Sequence, residues 1–175
     1  MGAAIWDATT GKRGRVFEAS AERSPLSAAF SPNGDYLTIG YKDRAEAHFL
    51  GGDVKKDPER IYRVDGVVTA IAYDADTKRI ALGIRKPLKS RDDAEPEILG
   101  HKSDVVVFDV KTAEELKRLE GFEGAKGNIA TMLPVTAIAF SPDGKHLAAG
   151  TGVHFSTTPV KLPKSGEIKV WKLDQ

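Results

Sequence analysis

The sequence of 175 residues contains no cysteine. Disulfides, thiolate zinc sites and cysteine nucleophiles are therefore excluded, and the absence fits a reducing compartment. No run reaches the roughly 18 apolar residues that a membrane-spanning helix needs. No basic segment followed by an apolar core marks a secretory signal near the start of the sequence. We therefore expect a cytoplasmic protein with no membrane partner.

Charge of one sign is also lacking, since 26 Lys and Arg residues face 25 Asp and Glu residues, for a formal net charge of +1. Nucleic-acid binders usually carry a clear basic excess, so nucleic acid is not an expected partner. The sequence also lacks a phosphate-binding Gly-rich loop, a His-Glu-x-x-His metal helix and a Gly-x-Ser-x-Gly nucleophile elbow. The expectation is a protein without a catalytic site, cofactor or bound metal.

An internal repeat is the main feature that is present. An aromatic residue and a glycine stand 10 residues apart three times, at Phe30 and Gly40, at positions 73 and 83, and at positions 140 and 150. The aromatic ends an alternating run, which is typical of a strand with one buried face. Ser-Pro-Asn-Gly or Ser-Pro-Asp-Gly follows in two copies and predicts a tight turn into a second strand.

Two further strand types recur around these units, and a spacing of 24 residues separates Trp6 from Phe30 and Phe49 from Tyr73. The first type is predicted at 4–7, 45–50, 105–109 and 168–171, and the second at 15–18, 60–64 and 115–119. Residues 112–118 have helical composition, but their place in the repeat predicts turn and strand. We predict a single all-β domain over 1–175, with an outer strand in 1–10 and three four-stranded units in 11–52, 53–110 and 111–175.

Several of these motifs coincide with those of one family. Ile5-Trp6-Asp7 followed by Thr10-Gly11-Lys12 resembles the end of a WD repeat, and the segment from Phe140 to Gly150 resembles its middle. Asp43 falls where that family places its structural aspartate. The chain thus resembles the WD-repeat β-propeller family over most of its length. The resemblance implies a partial β-propeller of about three four-stranded antiparallel blades plus one extra N-terminal outer strand.

The family's Gly-His pair near the start of each repeat is missing. The sequence does contain Gly100-His101, but this pair lies in an insertion. The family's internal His–Asp network is therefore not expected, and apolar strands must provide the packing. His48 and His146 fall in predicted strands and are expected to be structural or exposed. A metal site joining His101 and His154 to Asp92 or Asp93, and a calcium pair of Asp74 and Asp76, are the alternatives considered and not favoured.

Three blades do not close a ring, since propellers usually have four to eight. Either the sequence is a piece of a longer propeller, or two copies pair as a homodimer into one ring. We favour the first, because the sequence enters a strand directly after its first residues. In both cases the end blade should expose apolar surface and associate.

Three insertions enlarge links that should emerge on one face of the propeller. The distance from the closing glycine to the next outer aromatic is 9 residues in 40–49, but 25 in 83–108 and 21 in 150–171, and the third insertion lies in 121–134. Insertions of this kind commonly mark a binding face. The first is expected to be a flexible loop. The candidate partner-binding residues are Arg85, Lys89, Arg91, Phe122, Met132, His154, Phe155, Val160 and Leu162.

The function expected from the resemblance is a protein–protein interaction scaffold with a protein or peptide partner. The alternative is an enzyme or small-ligand binder that uses a central funnel completed by more blades or by a second chain. A third interpretation is a structural spacer module without a ligand of its own.

Overall fold

The structure, a computed structural model, describes residues 2–20, 23–51, 57–89, 98–123, 134–152 and 166–173. These residues form thirteen β-strands and no helix, which confirms the all-β prediction. The strands are β1 (Ala3–Trp6), β2 (Arg13–Phe17), β3 (Ser27–Phe30), β4 (Tyr36–Gly40), β5 (Arg44–Phe49), β6 (Arg60–Arg63), β7 (Val67–Tyr73), β8 (Arg79–Lys89), β9 (Ile98–Asp109), β10 (Glu115–Glu123), β11 (Val135–Phe140), β12 (His146–Thr151) and β13 (Ile168–Lys172). Residues 115–118 of the segment with helical composition are strand, as their place in the repeat predicts.

Hydrogen bonding groups the strands into four antiparallel sheets. Strands β3–β6 form blade one, β7–β10 form blade two, and β11–β13 form the three-stranded blade three. Strands β1 and β2 pair only with each other among the described residues, and we call them the N-terminal hairpin. The arrangement is that of a partial β-propeller.

The units read from the repeat are offset from these sheets by one strand. Strand β2 lies at the start of the unit 11–52, yet it pairs with β1, with Ala3 opposite Phe17. Strands β6 and β10, expected in units 53–110 and 111–175, instead complete blades one and two. Each repeat unit thus begins with the outer strand of the preceding sheet, so covalent order and hydrogen-bonded order differ. Two four-stranded sheets and one three-stranded sheet replace the three four-stranded sheets that we expected.

The turns between the first two strands of blades one and three form as predicted. Ser31 Oγ donates a hydrogen bond to Asn33 Oδ1 at 2.7 Å and accepts one from the Tyr36 amide at 2.9 Å. Gly34 has a φ of 75°, a conformation that favours glycine. The segment 141–144 repeats these contacts in blade three, so the same local chemistry closes both turns.

Blade two closes its turn with a carboxylate. Asp74 is buried, and its Oδ1 accepts hydrogen bonds from the amides of Lys78 and Arg79 at 2.8 and 3.0 Å. Its Oδ2 pairs with Arg79 Nε at 2.9 Å. Asp76 is exposed and pairs with Lys78. Both carboxylates are therefore turn residues and do not form the calcium pair that was considered.

The recurring glycine marks the place where the next blade makes contact. A Cβ on Gly40 would lie 2.7 Å from Cγ1 and 2.9 Å from Cβ of Val68, the residue at the start of the blade-two inner strand. A Cβ on Gly83 would lie 2.8 and 2.9 Å from the same atoms of Val135 in blade three. Since real Cβ atoms do not approach this closely, only glycine fits both positions. The 10-residue spacing in the sequence therefore reflects packing between blades.

Apolar clusters fill the spaces between neighbouring sheets. Tyr62 of blade one is fully buried and meets Phe108 of blade two edge-on at 5.6 Å, and Phe122 of blade two meets Trp171 of blade three at 5.8 Å. Phe17 of the N-terminal hairpin covers blade one. The cluster between the N-terminal hairpin and blade one contains the buried residues Phe17, Leu37, Ile39 and Tyr41. The cluster between blades one and two contains Ala45, Ala47, Tyr62, Val68, Ile80, Leu82, Ile84, Val106, Phe108 and Val110. The cluster between blades two and three contains Ala70, Ala81, Val105, Val107, Leu119, Phe122, Val135, Leu147, Ala149 and Leu173.

The aspartates of the WD-like ends act on their own turns. Asp7 Oδ1 accepts hydrogen bonds from the Thr9 and Thr10 amides, and Asp109 does the same for two amides that follow it. These hydrogen bonds lower the pKa of both aspartates below its ordinary value. Asp43 differs, because its side chain is exposed and pairs with the adjacent Arg44 at 2.8 Å.

Candidate functional site

The first insertion is an extension of blade two. Strands β8 and β9 remain paired from Arg79 opposite Asp109 to Lys89 opposite Ile98, so they project beyond the other strands of the sheet. We call the part of this pair beyond Ile84 and Asp104 the extended hairpin. The expectation of a flexible loop was therefore wrong for residues 85–89, which are part of β8. The backbone pairing of the two strands forms an arm at the edge of the propeller.

A cleft of about 590 Å³ lies beside this arm, between blades one and two. One wall is the turn between β4 and β5, another is the link between β6 and β7, and the third is strand β8. These links share one edge of the propeller, as expected for the insertion face. The lining residues are Lys42, Asp43, Arg44, Val64, Asp65, Gly66, Val67, Arg85 and Pro87.

A charge network holds the extended hairpin against the β6–β7 link. Asp104 is fully buried, and Lys86 Nζ lies 3.1 Å, Lys102 Nζ 3.6 Å and Arg118 Nη1 4.0 Å from its carboxylate oxygens. Lys86 and Arg118 also pair with Asp65 on the link, at 2.7 and 3.2 Å. One buried carboxylate thus organises three cations, and two of them reach across to the cleft wall.

The cleft presents more positive than negative charge. Its lining carries Lys42, Arg44 and Arg85 against Asp43 and Asp65. Asp43 pairs with Arg44, which also pairs with the buried Glu46, and Asp65 pairs with Lys86 and Arg118. The cleft can therefore attract an anionic group, and apolar side chains line the same space.

The structure places few of the nine candidate partner-binding residues at this edge. Arg85 lines the cleft, and Lys89 ends β8 on the extended hairpin. Phe122 is only 1% exposed and packs on Trp171, so it is a core residue between blades two and three and is not available to a partner. The other six candidates lie outside the described residues: Arg91, Met132, His154, Phe155, Val160 and Leu162.

A second cavity, of about 360 Å³, lies between the N-terminal hairpin and blade one. His48 is buried there, with its ring 4.9 Å from that of Phe17 and its Nε2 3.7 Å from Glu46 Oε2. Glu46 is also buried and pairs with Arg44 at 2.7 Å. Burial lowers the pKa of His48; Glu46 opposes this effect, and the charges of Arg15 and Arg23 add to it.

This burial predicts a stability that depends on pH. Burial lowers the pKa of His48 in the folded chain below the ordinary value of 6.5, near which the unfolded chain binds a proton. Its contribution is therefore fully present above that value and is lost as the pH falls below it. We expect the fall in melting temperature between about pH 7.5 and 5.5 to be smaller in His48→Gln than in the parent. Equal slopes in the parent and His48→Gln would contradict the prediction.

The remaining histidines and acids form no metal centre in the part of the chain that the structure describes. No group of three or more potential ligands occurs there. His101 lies in β9, where burial and then the charge of Arg85 lower its pKa. His146 begins β12 and is exposed. His154, Asp92 and Asp93, the other members of the metal site that was considered, lie outside the described residues.

The sequence interpretation did not identify the other walls of the cleft. Lys42, Arg44 and Asp65 come from short links that do not differ in length from ordinary turns. Only the sheet topology could have pointed to these residues, because the β4–β5 and β6–β7 links emerge on the same edge as the first insertion. Asp104 gave only a weak signal, a single acid at the start of an apolar run.

Comparison with known proteins agrees with this architecture. A family model described as "WD domain, G-beta repeat" matches residues 126–172. No curated protein matches the sequence.

Among solved structures, the crystal structure of the tricorn protease is similar with a TM-score of 0.54 and 18% identity, over 97% of this chain and 15% of that chain. An identity this low shows the fold alone, and that fold is a β-propeller. No helix in the described ranges is long and apolar enough to cross a membrane. Residues 126–172 thus match the WD repeat, and the chain as a whole has the fold of a partial β-propeller.

Proposed function

We propose that the chain is a binding scaffold, without catalysis, that holds a segment of a partner protein in the cleft between blades one and two. The observation that carries this proposal is the extended hairpin, which the charge network around Asp104 fixes beside the cleft. Rigid arms at the edge of a scaffold are well suited to recognition, because they lose little conformational entropy when a partner binds.

The charge of the cleft defines the partner's chemistry. Lys42, Arg44 and Arg85 line the cleft together with Asp43 and Asp65, so cations outnumber acids in the lining. Val64, Val67 and Pro87 supply apolar surface. An extended peptide that carries acidic side chains next to an apolar one complements this lining. Binding of such a peptide should weaken as ionic strength rises.

Peptides selected from a random displayed library against the parent chain provide the probe. We expect the selection to yield acidic peptides that contain an apolar residue. Arg85→Glu should weaken their binding about tenfold, because it reverses a charge in the cleft lining. Lys145→Glu is the matched control, because Lys145 lies in the β11–β12 turn at the opposite edge of the propeller. Equal affinities for the parent and Arg85→Glu would overturn the proposal.

A shortened hairpin tests the arm itself. Pro87 and His101 are directly paired, so Asn-Gly in place of residues 88–100 can close the two strands with a two-residue turn. We expect unchanged circular dichroism and weaker peptide binding, because Arg85 and Pro87 still line the cleft but the arm no longer extends beyond them. Retained binding in a folded, shortened variant would contradict a role for the arm.

A further inference from the structure

Blade one departs from the repeat at two buried positions. The pairing of β4 with β5 and of β8 with β9 places Glu46 and His48 where blade two has Val106 and Phe108. His48, and not Phe49, therefore occupies the position of the outer aromatic. The two polar side chains belong to residues that are 1% and 4% exposed, and apolar side chains at these positions would avoid the cost of burying ionisable groups. Glu46 and His48 thus indicate a role other than packing between sheets.

Both side chains line the second cavity, whose volume of about 360 Å³ suits a small molecule. Neither ring nitrogen of His48 has a hydrogen-bond partner in the described part of the chain, although both nitrogens are buried. Glu46 Oε2 lies 3.7 Å from His48 Nε2, which is beyond hydrogen-bond distance. Buried polar groups without partners are rare in folded proteins, so the imidazole indicates a ligand that forms a hydrogen bond with it.

Cations outnumber acids around the cavity. Arg15, Arg23, Glu18 and Glu46 line it, and Arg44 adds a third cation because its Nε lies 2.7 Å from Glu46 Oε1. Arg23 Nη2 lies 3.9 Å from the same oxygen, and its side chain is 51% exposed. Three cations therefore accompany two acids, which leaves a surplus of one positive charge. A monoanion matches this surplus.

Aromatic side chains form the apolar part of the cavity. The Phe17 ring lies 4.9 Å from the His48 ring, and Arg15 Cζ lies 4.7 Å from the centre of the Phe17 ring. Arg15 Nη1 also donates a hydrogen bond to the Phe49 carbonyl at 2.7 Å, which holds the guanidinium in place. Tyr41 lines the same space. A ligand that joins an apolar group to an anionic group would therefore contact both kinds of surface in one cavity.

We propose that this cavity binds a small organic carboxylate. The carboxylate lies between His48 and Arg23, where a ring N–H and a guanidinium donate hydrogen bonds to it. Its apolar part packs on Phe17 and Tyr41. A phosphate group fits less well, because its second negative charge would lie close to the buried Glu46. The site is separate from the cleft between blades one and two and does not depend on the proposed function.

Binding of a carboxylate should tighten as the pH falls. Burial lowers the pKa of His48; Glu46 opposes this effect, and the charges of Arg15 and Arg23 add to it. A bound carboxylate adds a negative charge beside the ring, so it raises the pKa of His48 and favours uptake of a proton. Tyr41, whose pKa burial and then Glu46 raise, stays protonated in this range. We expect the affinity to rise about tenfold between about pH 7.5 and 5.5, the effect of raising the pKa by about one unit, while the ligand itself stays ionised.

Titration of the full chain with acetate and benzoate, followed through the NMR signals of the His48 ring, tests the site. Acetamide and benzamide are the matched neutral probes, and inorganic phosphate is the dianion. We expect both carboxylates to shift the His48 signals, benzoate at lower concentration because its ring packs on Phe17. The amides and phosphate should bind at least about tenfold more weakly. Unchanged His48 signals with both carboxylates, equal affinities for benzoate and benzamide, or tighter binding of phosphate would each overturn the proposal.

Three variants test whether the cavity is the place of binding. Arg23→Gln should weaken benzoate binding about tenfold, whereas Lys172→Gln removes the same charge from an exposed position on blade three and should have no effect. His48→Phe introduces the residue that blade two has at this position, so the chain should stay folded and lose benzoate binding. His48→Gln keeps a polar side chain and should bind benzoate with an affinity that no longer changes with pH. Parental affinity in Arg23→Gln or in folded His48→Phe, or parental pH dependence in His48→Gln, would overturn the proposal.

Discussion

Gly83→Ala is expected to destabilise the chain by about 2–3 kcal/mol, although it adds a single methyl group. The new Cβ would lie 2.8 Å from Val135 Cγ1 and 2.9 Å from Val135 Cβ. A rotamer change can move Cγ1, but Cβ is fixed to the backbone, so strand β11 itself must move. Movement of β11 disturbs the cluster that joins blades two and three. Urea denaturation followed by circular dichroism measures the loss.

Gly150→Ala is the matched control, and its effect should have the opposite sign. The position is the same in the repeat, yet the nearest atom to a new Cβ is 3.8 Å away. Replacing a strand glycine with alanine removes conformational freedom from the unfolded chain, so we expect a gain of about 0.5 kcal/mol. If both variants changed stability by the same amount, the contact with the next blade would not explain the recurring glycine.

This pair of glycines also shows how far the sequence could lead. The spacing from Phe30 to Gly40 and its two repeats located the inner strands and the turns between them, because periodicity and turn chemistry are local properties. The count of three repeats predicted an exposed end blade, but the spacing itself is identical at Gly83, which is covered, and at Gly150, which is open. That difference depends on which sheet lies next in space, and only the folded chain contains that information.

The extended hairpin was missed for a related reason. Pro87, blocks of like charge and a length above that of ordinary links all indicate a loop. The pairing of β8 with β9 overrides these signals, since it continues a ladder that apolar residues such as Leu82 and Val106 have already set in register. Arg85 was therefore predicted as a loop residue, although it lies in β8 and lines the cleft. Phe122 was predicted to contact a partner because it is apolar, but its side chain is part of the core.

The buried carboxylate beneath the cleft gives the second large effect. Asp104→Asn should lower the free energy of unfolding by about 3 kcal/mol, because it leaves Lys86, Lys102 and Arg118 close together without their shared anion. The side chains of these cations keep 22%, 21% and 26% of their area exposed, which places the loss at the lower end of the range for breaking a buried ion pair. Thermal and urea unfolding provide the measurement.

Two further variants decide whether the charges are the cause. Asp76→Asn breaks an exposed pair with Lys78, whose side chains are 70% and 74% exposed, and should cost less than about 0.5 kcal/mol. Adding Lys86→Met to Asp104→Asn removes the cation nearest to the lost charge, so the double variant should recover part of the stability. A double variant less stable than the sum of the two single losses would show that packing, and not charge balance, sets the role of Asp104.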